Sequence, residues 1–206
     1  NDKVVGEAGI ENPQYCLENT FDLANMMQGQ TTRVVFKAVF TPKDFVTGQT
    51  FYKIGNTTAI WDATKLAQQI KTVAFKAMKI TTADEQAKYS VDLSKGSNIS
   101  GKAGLHKITA DNITFTGEGK SKVTEDVVNA INDKLGLTKT GISTYLNGEA
   151  YYIARIKHFN EMTHWNAGEA YGIENGKYLG RYGVLRNNWY DLSVNSISGL
   201  GYPDVP

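Results

Sequence analysis

The chain has 206 residues, 22 lysines and arginines against 21 acids, a net charge of +1 and a single cysteine. A chain of this length buries roughly 70% of its unfolded surface, so it folds without a disulfide or a metal. The charge balance, with no basic run interleaved with aromatics, argues against a nucleic-acid binder, and one cysteine excludes an intrachain disulfide and a cysteine-based zinc site.

In chain order, residues 1–9 are polar and aperiodic and read as a linker or frayed terminus. The chain starts at Asn1 rather than Met, which points to a fragment or a processed product, so the lack of a signal peptide says little about location. No apolar run reaches the roughly 18 residues of a membrane span. Cys16 reads as a small buried apolar residue, the usual place of its type. From Thr31 the pattern TTRVVFKAVFTP sets Val34, Phe36, Ala38 and Phe40 on one face of a strand, and Pro42 ends it. A short strand follows over 50–54, with Gly55-Asn56 as its turn.

A helix is expected over 62–71, with Asp62 as cap and Leu66 and Ile70 on its apolar stripe. A shorter helical turn is expected at 82–88, and strands with long loops over 90–121. The best helix runs over 124–135. Thr124 caps it, Glu125 and Asp126 suit the positive end of the dipole, and Gly136 sits where a left-handed cap is wanted. Strands then return at 150–158, 178–185 and 189–197. In the last, Tyr190, Leu192 and Val194 are expected to face the core, opposite Asp191, Ser193 and Asn195. Short strands with inserted helices predict a mainly β fold, a sandwich with two or three helices, as one domain over 10–198.

Chemistry is sparse. His158, Glu161 and His164 lie within seven residues, but the histidines are six apart, not the i, i+4 of a helical zinc site. Gly119-Lys120-Ser121 has the end of a phosphate loop without its first glycine, since position 114 is threonine. No Gly-x-Ser-x-Gly elbow or nameable triad is present. The expectation is no enzyme, no cofactor, no metal and no nucleotide. Triplets at Asn56, Asn98 and Asn112 fit the glycosylation pattern and suggest exposed loops.

The segments QYCLENT (14–20), YYIARIKHF (151–159) and YGVLRNNWYDLSVNSISGLG (182–201) resemble the C-terminal domain of fimbrillins, subunits of type V pili, most closely those of the short fimbriae. Tyr182, Gly183, Val184, Arg186, Asn187, Tyr190, Ile197, Gly199, Gly201 and Pro203 fill the family's places. The resemblance implies a transthyretin-like Greek-key β-sandwich, export as a lipoprotein precursor, maturation by an Arg-specific protease and polymerisation by strand donation. It implies other fimbrial subunits as partners, in a homopolymer with accessory subunits, and a place on the surface fimbrium at the outer membrane. Receptors on host or bacterial surfaces would follow from adhesion. Gly199, Gly201 and Pro203 would form an exit toward a donor strand, and residues 202–206 are expected to be poorly ordered. The alternative is a fimbrial tip or accessory adhesin, a protein- or carbohydrate-binding module, marked by exposed aromatics such as Trp165 and Tyr171.

Overall fold

A computed structural model describes residues 13–19, 32–99, 102–156 and 183–205. The chain divides into two compact units, Asn1–Phe36 with Ile153–Gly199, and Lys37–Tyr152 with Leu200–Pro206.

The larger unit is built on helix α1, Ala63–Met78. The Lys65 N–H donates to the Asp62 carboxylate at 2.8 Å, as the sequence predicts for a cap. The helix runs past residue 71 because its apolar stripe continues: Leu66, Ile70, Ala74, Phe75 and Met78 are all buried. It stops at Lys79, which adopts φ 56° and ψ 37°, while the Ile80 N–H reaches the Phe75 carbonyl at 2.9 Å. No glycine marks that end, so the usual stop signal is missing from the sequence. A second helix α2, Ala83–Gln86, follows. Helix α3, Glu125–Lys134, is capped by Thr124 and buries Val127, Val128 and Ile131. Gly136 then takes φ 70°, the conformation expected of it, and leads into a short helix α4, Leu137–Thr140.

These helices pack beside a five-stranded antiparallel sheet. Its strands are β2 (Phe51–Ile54), β3 (Ile60–Trp61), β5 (Ser97–Ile99), β6 (Lys102–Lys107) and β8 (Ile142–Tyr145), in the order β3-β2-β8-β6-β5. A second pairing joins β4 (Tyr89–Val91) to β7 (Ile113–Phe115). Leu66, Ile70, Ile131 and Leu137 form the fully buried centre between α1, α3 and α4. A smaller cluster stacks Phe51 on Tyr145 at 4.6 Å, beside Ala150, with Phe45, Ile60, Tyr152 and Leu200 around it.

Strands β1 (Arg33–Val39) and β9 (Glu149–Arg155) pair as a two-stranded sheet. In the smaller unit, Asn19 and Val184 form an antiparallel bridge with hydrogen bonds of 2.9 and 3.1 Å. The Ile156 N–H reaches the Thr32 carbonyl, and the Gly183 N–H reaches the Ile156 carbonyl. Val184 is only 2% exposed and is the apolar centre of this contact.

The described residues thus form antiparallel sheets with four helices, a mixed arrangement with more helix than the mainly β fold expected. Three further expectations are corrected. Cys16 is exposed, because residues 13–18 all are. Asn112 is 1% exposed, its amide consumed by the backbone of residues 92, 95 and 109, so it is no glycan acceptor in the fold. Residues 189–197 form no strand, and Leu192 and Val194 are 36% and 53% exposed where core positions were expected. Their alternation satisfies the strand pattern, but no described backbone group pairs with theirs. Tyr190 is half-buried.

Candidate assembly edge

The C-terminal residues meet β9 within the larger unit. Tyr202 accepts from the Tyr151 N–H at 2.9 Å and donates its own N–H to the Tyr151 carbonyl at 2.8 Å. Both backbone groups of Tyr151 are therefore spent on this bridge, and residues 200–203 act as a strap along β9. The Tyr145 hydroxyl donates to the Gly201 carbonyl at 3.0 Å. Burial pushes the Tyr145 phenol up, with Tyr152 adding to the shift, so it stays a neutral donor at neutral pH. Leu200 packs on the Phe51, Tyr145 and Ala150 cluster.

Gly201 is required by close approach. A Cβ there would run into the Tyr151 carbonyl oxygen and come within 2.9 Å of Tyr152 Cζ. A Cβ at Gly199 would meet nothing within 4 Å. Of the two glycines expected to loosen the exit, one is a packing requirement and one is open. Residues 202–205 do not begin as the loose tail expected, since Tyr202 is paired. The gain of two backbone hydrogen bonds and the Leu200 contact offsets the entropy cost of ordering a segment that carries two glycines.

Side chains reinforce the same edge. Lys37 Nζ lies 3.1 Å from Glu149 Oε1, and the Tyr151 hydroxyl donates to Glu149 Oε2 at 2.9 Å. Lys37 first, and Tyr151 next, hold the Glu149 carboxyl below the usual carboxylate range. Burial and the bond to Glu149 push the Tyr151 phenol up.

In the smaller unit, the two ends of the sequence resemblance come together. Arg186 Nη2 and Nε lie 3.0 and 3.1 Å from Glu18 Oε2, beside the Asn19–Val184 bridge. The Leu185 N–H donates to the Tyr190 hydroxyl at 2.9 Å. Glu18 and Asn19 lie in QYCLENT, while Val184, Arg186 and Tyr190 lie in YGVLRNNWY. Sequence reasoning singled out these stretches without foreseeing that they touch, because contacts so distant in sequence leave no periodic trace.

His158 and His164, with Trp165 and Tyr171, lie outside the described residues. Among the described residues no three metal-binding side chains cluster, and no helix is long and apolar enough to cross a membrane. Gly119 to Ser121 form part of an irregular loop.

Residues 143–206 match the family model described as major fimbrial subunit protein type IV, fimbrillin, C-terminal. That stretch contains β9, the Val184–Tyr190 segment and the strap, and supports the resemblance read from the sequence. No curated protein matches the chain.

Proposed function

We propose, with residues 143–206 standing as a fimbrillin C-terminal region, that the chain is a structural subunit of a bacterial surface fimbria and polymerises by β-strand donation. The reading carries a transthyretin-like Greek-key body, homopolymer and accessory subunits as partners, a role in adhesion, and export as a lipoprotein precursor to the outer membrane. The single observation that supports strand donation is the strap: the edge of β9 pairs, through both backbone groups of Tyr151, with an extended segment of the same chain at Tyr202. That is β-augmentation, in which main-chain hydrogen bonds supply affinity and alternate side chains supply fit. Gly199, Gly201 and Pro203 set the direction in which the chain leaves this edge toward a donor strand.

The family is one of structural pilus subunits rather than enzymes, which agrees with the absence of a catalytic motif in the sequence. The experiment is light scattering with electron microscopy on the protease-matured native subunit. Filaments are expected from it, and a large loss of filament mass from its Gly201→Val variant, in which the strap cannot close on Tyr151. Filaments that form equally well with Gly201→Val would sink strand donation through this edge. A native subunit that never polymerises would sink the subunit reading itself.

A further inference from the structure

The turn that carries the chain from β8 into β9 is Leu146-Asn147-Gly148-Glu149. Asn147 has φ 54° and ψ 22°, Gly148 has φ 75°, and the Glu149 N–H closes on the Leu146 carbonyl. Two central residues at positive φ give the type I′ pattern, for which Asn-Gly is the preferred pair. Packing fixes the glycine a second time, since a Cβ on Gly148 would come within 2.8 Å of the Phe40 carbonyl oxygen. The same pair is chemically fragile. A glycine nitrogen is unhindered for attack on the preceding asparagine side chain, and Asn147 is exposed to the water and base that the reaction needs. The chain has a second Asn-Gly pair, Asn175-Gly176, which lies outside the described residues.

We propose that Asn147 is a conditional deamidation site: the closed turn holds it unreactive, and a chain whose turn opens is marked there. In the reaction the Gly148 amide nitrogen gives its proton to a solvent base and bonds to Asn147 Cγ. The Cγ–Nδ2 bond breaks, and Nδ2 leaves as ammonia with a proton from water. Water then opens the succinimide ring, giving aspartate if the new N–Cγ bond breaks and isoaspartate if the main-chain bond breaks. Ring closure needs the Gly148 nitrogen beside Cβ of Asn147, and at ψ 22° it lies on the far side of the Cα–C bond. Three bonds oppose the rotation: Glu149 N–H to the Leu146 carbonyl, Phe40 N–H to the Gly148 carbonyl at 2.8 Å, and Asn147 N–H to Thr50 Oγ1 at 3.0 Å. Isoaspartate adds a methylene to the backbone, which a two-residue turn cannot absorb, so a marked chain cannot close the turn that aims β9. The inference does not rest on the assembly reading, because the turn precedes β9 whatever pairs with that edge.

The test is peptide mapping by mass spectrometry, with an isoaspartyl assay, on the full chain incubated in neutral buffer, once native and once unfolded in guanidinium chloride. Conversion at Asn147 is expected to be at least about tenfold slower in the native chain. Thr50→Val removes the hydroxyl that receives the Asn147 N–H; it should speed the native reaction several-fold and leave the unfolded rate unchanged. The comparison within the parent chain decides the point even where the variant is unstable. Equal native and unfolded rates, or no conversion at Asn147 in the unfolded chain, overturn the proposal. A native rate that a folded Thr50→Val leaves unchanged overturns the turn as the source of protection.

Discussion

One amide, that of Asn132, ties α3 to the backbone after β6. Its Oδ1 accepts the Ile108 N–H at 2.9 Å and its Nδ2 donates to the Ile108 carbonyl at 2.8 Å, all of it buried. Asn132→Ala strands two buried backbone groups, so a loss of about 3 kcal/mol is expected, read from the urea midpoint. Gly201→Ala and Gly199→Ala form a paired test of the strap. The first should free the Tyr202 amide to exchange with solvent and cost about 1–2 kcal/mol; the second should do neither. Equal effects would show that Gly201 serves as a hinge and not as a close contact. Glu149 gives a pH signature. Its carboxyl is held below its ordinary value by Lys37 and Tyr151, so the stabilisation is present above the unfolded carboxyl pKa and is lost as pH falls through the lower folded value. Denaturation midpoints measured downward through the carboxylate range should fall, and Glu149→Gln should flatten that limb.

At the scale of elements, α1 ends on Lys79 in the left-handed region, which costs a residue with a Cβ about 1 kcal/mol relative to glycine. Lys79→Gly is therefore expected to raise stability by about that amount in thermal denaturation. A drop would mean that the lysine side chain contributes more than the strain removes. This element also shows what was legible in the sequence. The starts of α1 and α3 were readable, because Asp62 and Thr124 are local signals that the fold honours. The end of α1 was not, because a lysine sits where glycine would announce the stop. Strand β8 was missed although it lies at the centre of the main sheet, since Ile142, Ser143 and Tyr145 are all buried and no alternation survives. Residues 189–197 failed the opposite way: their alternation is clean, yet Leu192 and Val194 stand open. Alternation records which faces a strand could present and says nothing of whether a neighbour covers them. The strap's glycines were noticed for the wrong reason, since the sequence shows permissive residues but not the carbonyl that one of them must avoid.

At the scale of the whole molecule, the smaller unit joins two segments far apart in sequence, Asn1–Phe36 and Ile153–Gly199. Val184, 2% exposed at the bridge to Asn19, is the place to break that unit alone. Val184→Asp buries an unpaired charge and should cost about 3 kcal/mol or more. Hydrogen exchange should show the Asn19 amide losing protection while the Ile108 amide, in the larger unit, keeps it. Loss at both amides would mean that the two units unfold as one.

The ion pair between Glu18 and Arg186 spans 168 positions, and that separation fixes a schedule. On a ribosome, residues 37–152 can all be present before the later part of the smaller unit, Ile153–Gly199, is complete. The Asn19–Val184 bridge must wait until Val184 emerges, and the strap arrives later still. Nascent chains paused before Val184 would carry most of the larger unit without the Asn19–Val184 bridge. The Asn19–Val184 bridge is thus among the last contacts the chain can form, with the strap after it, and its long sequence separation makes it slow by topology.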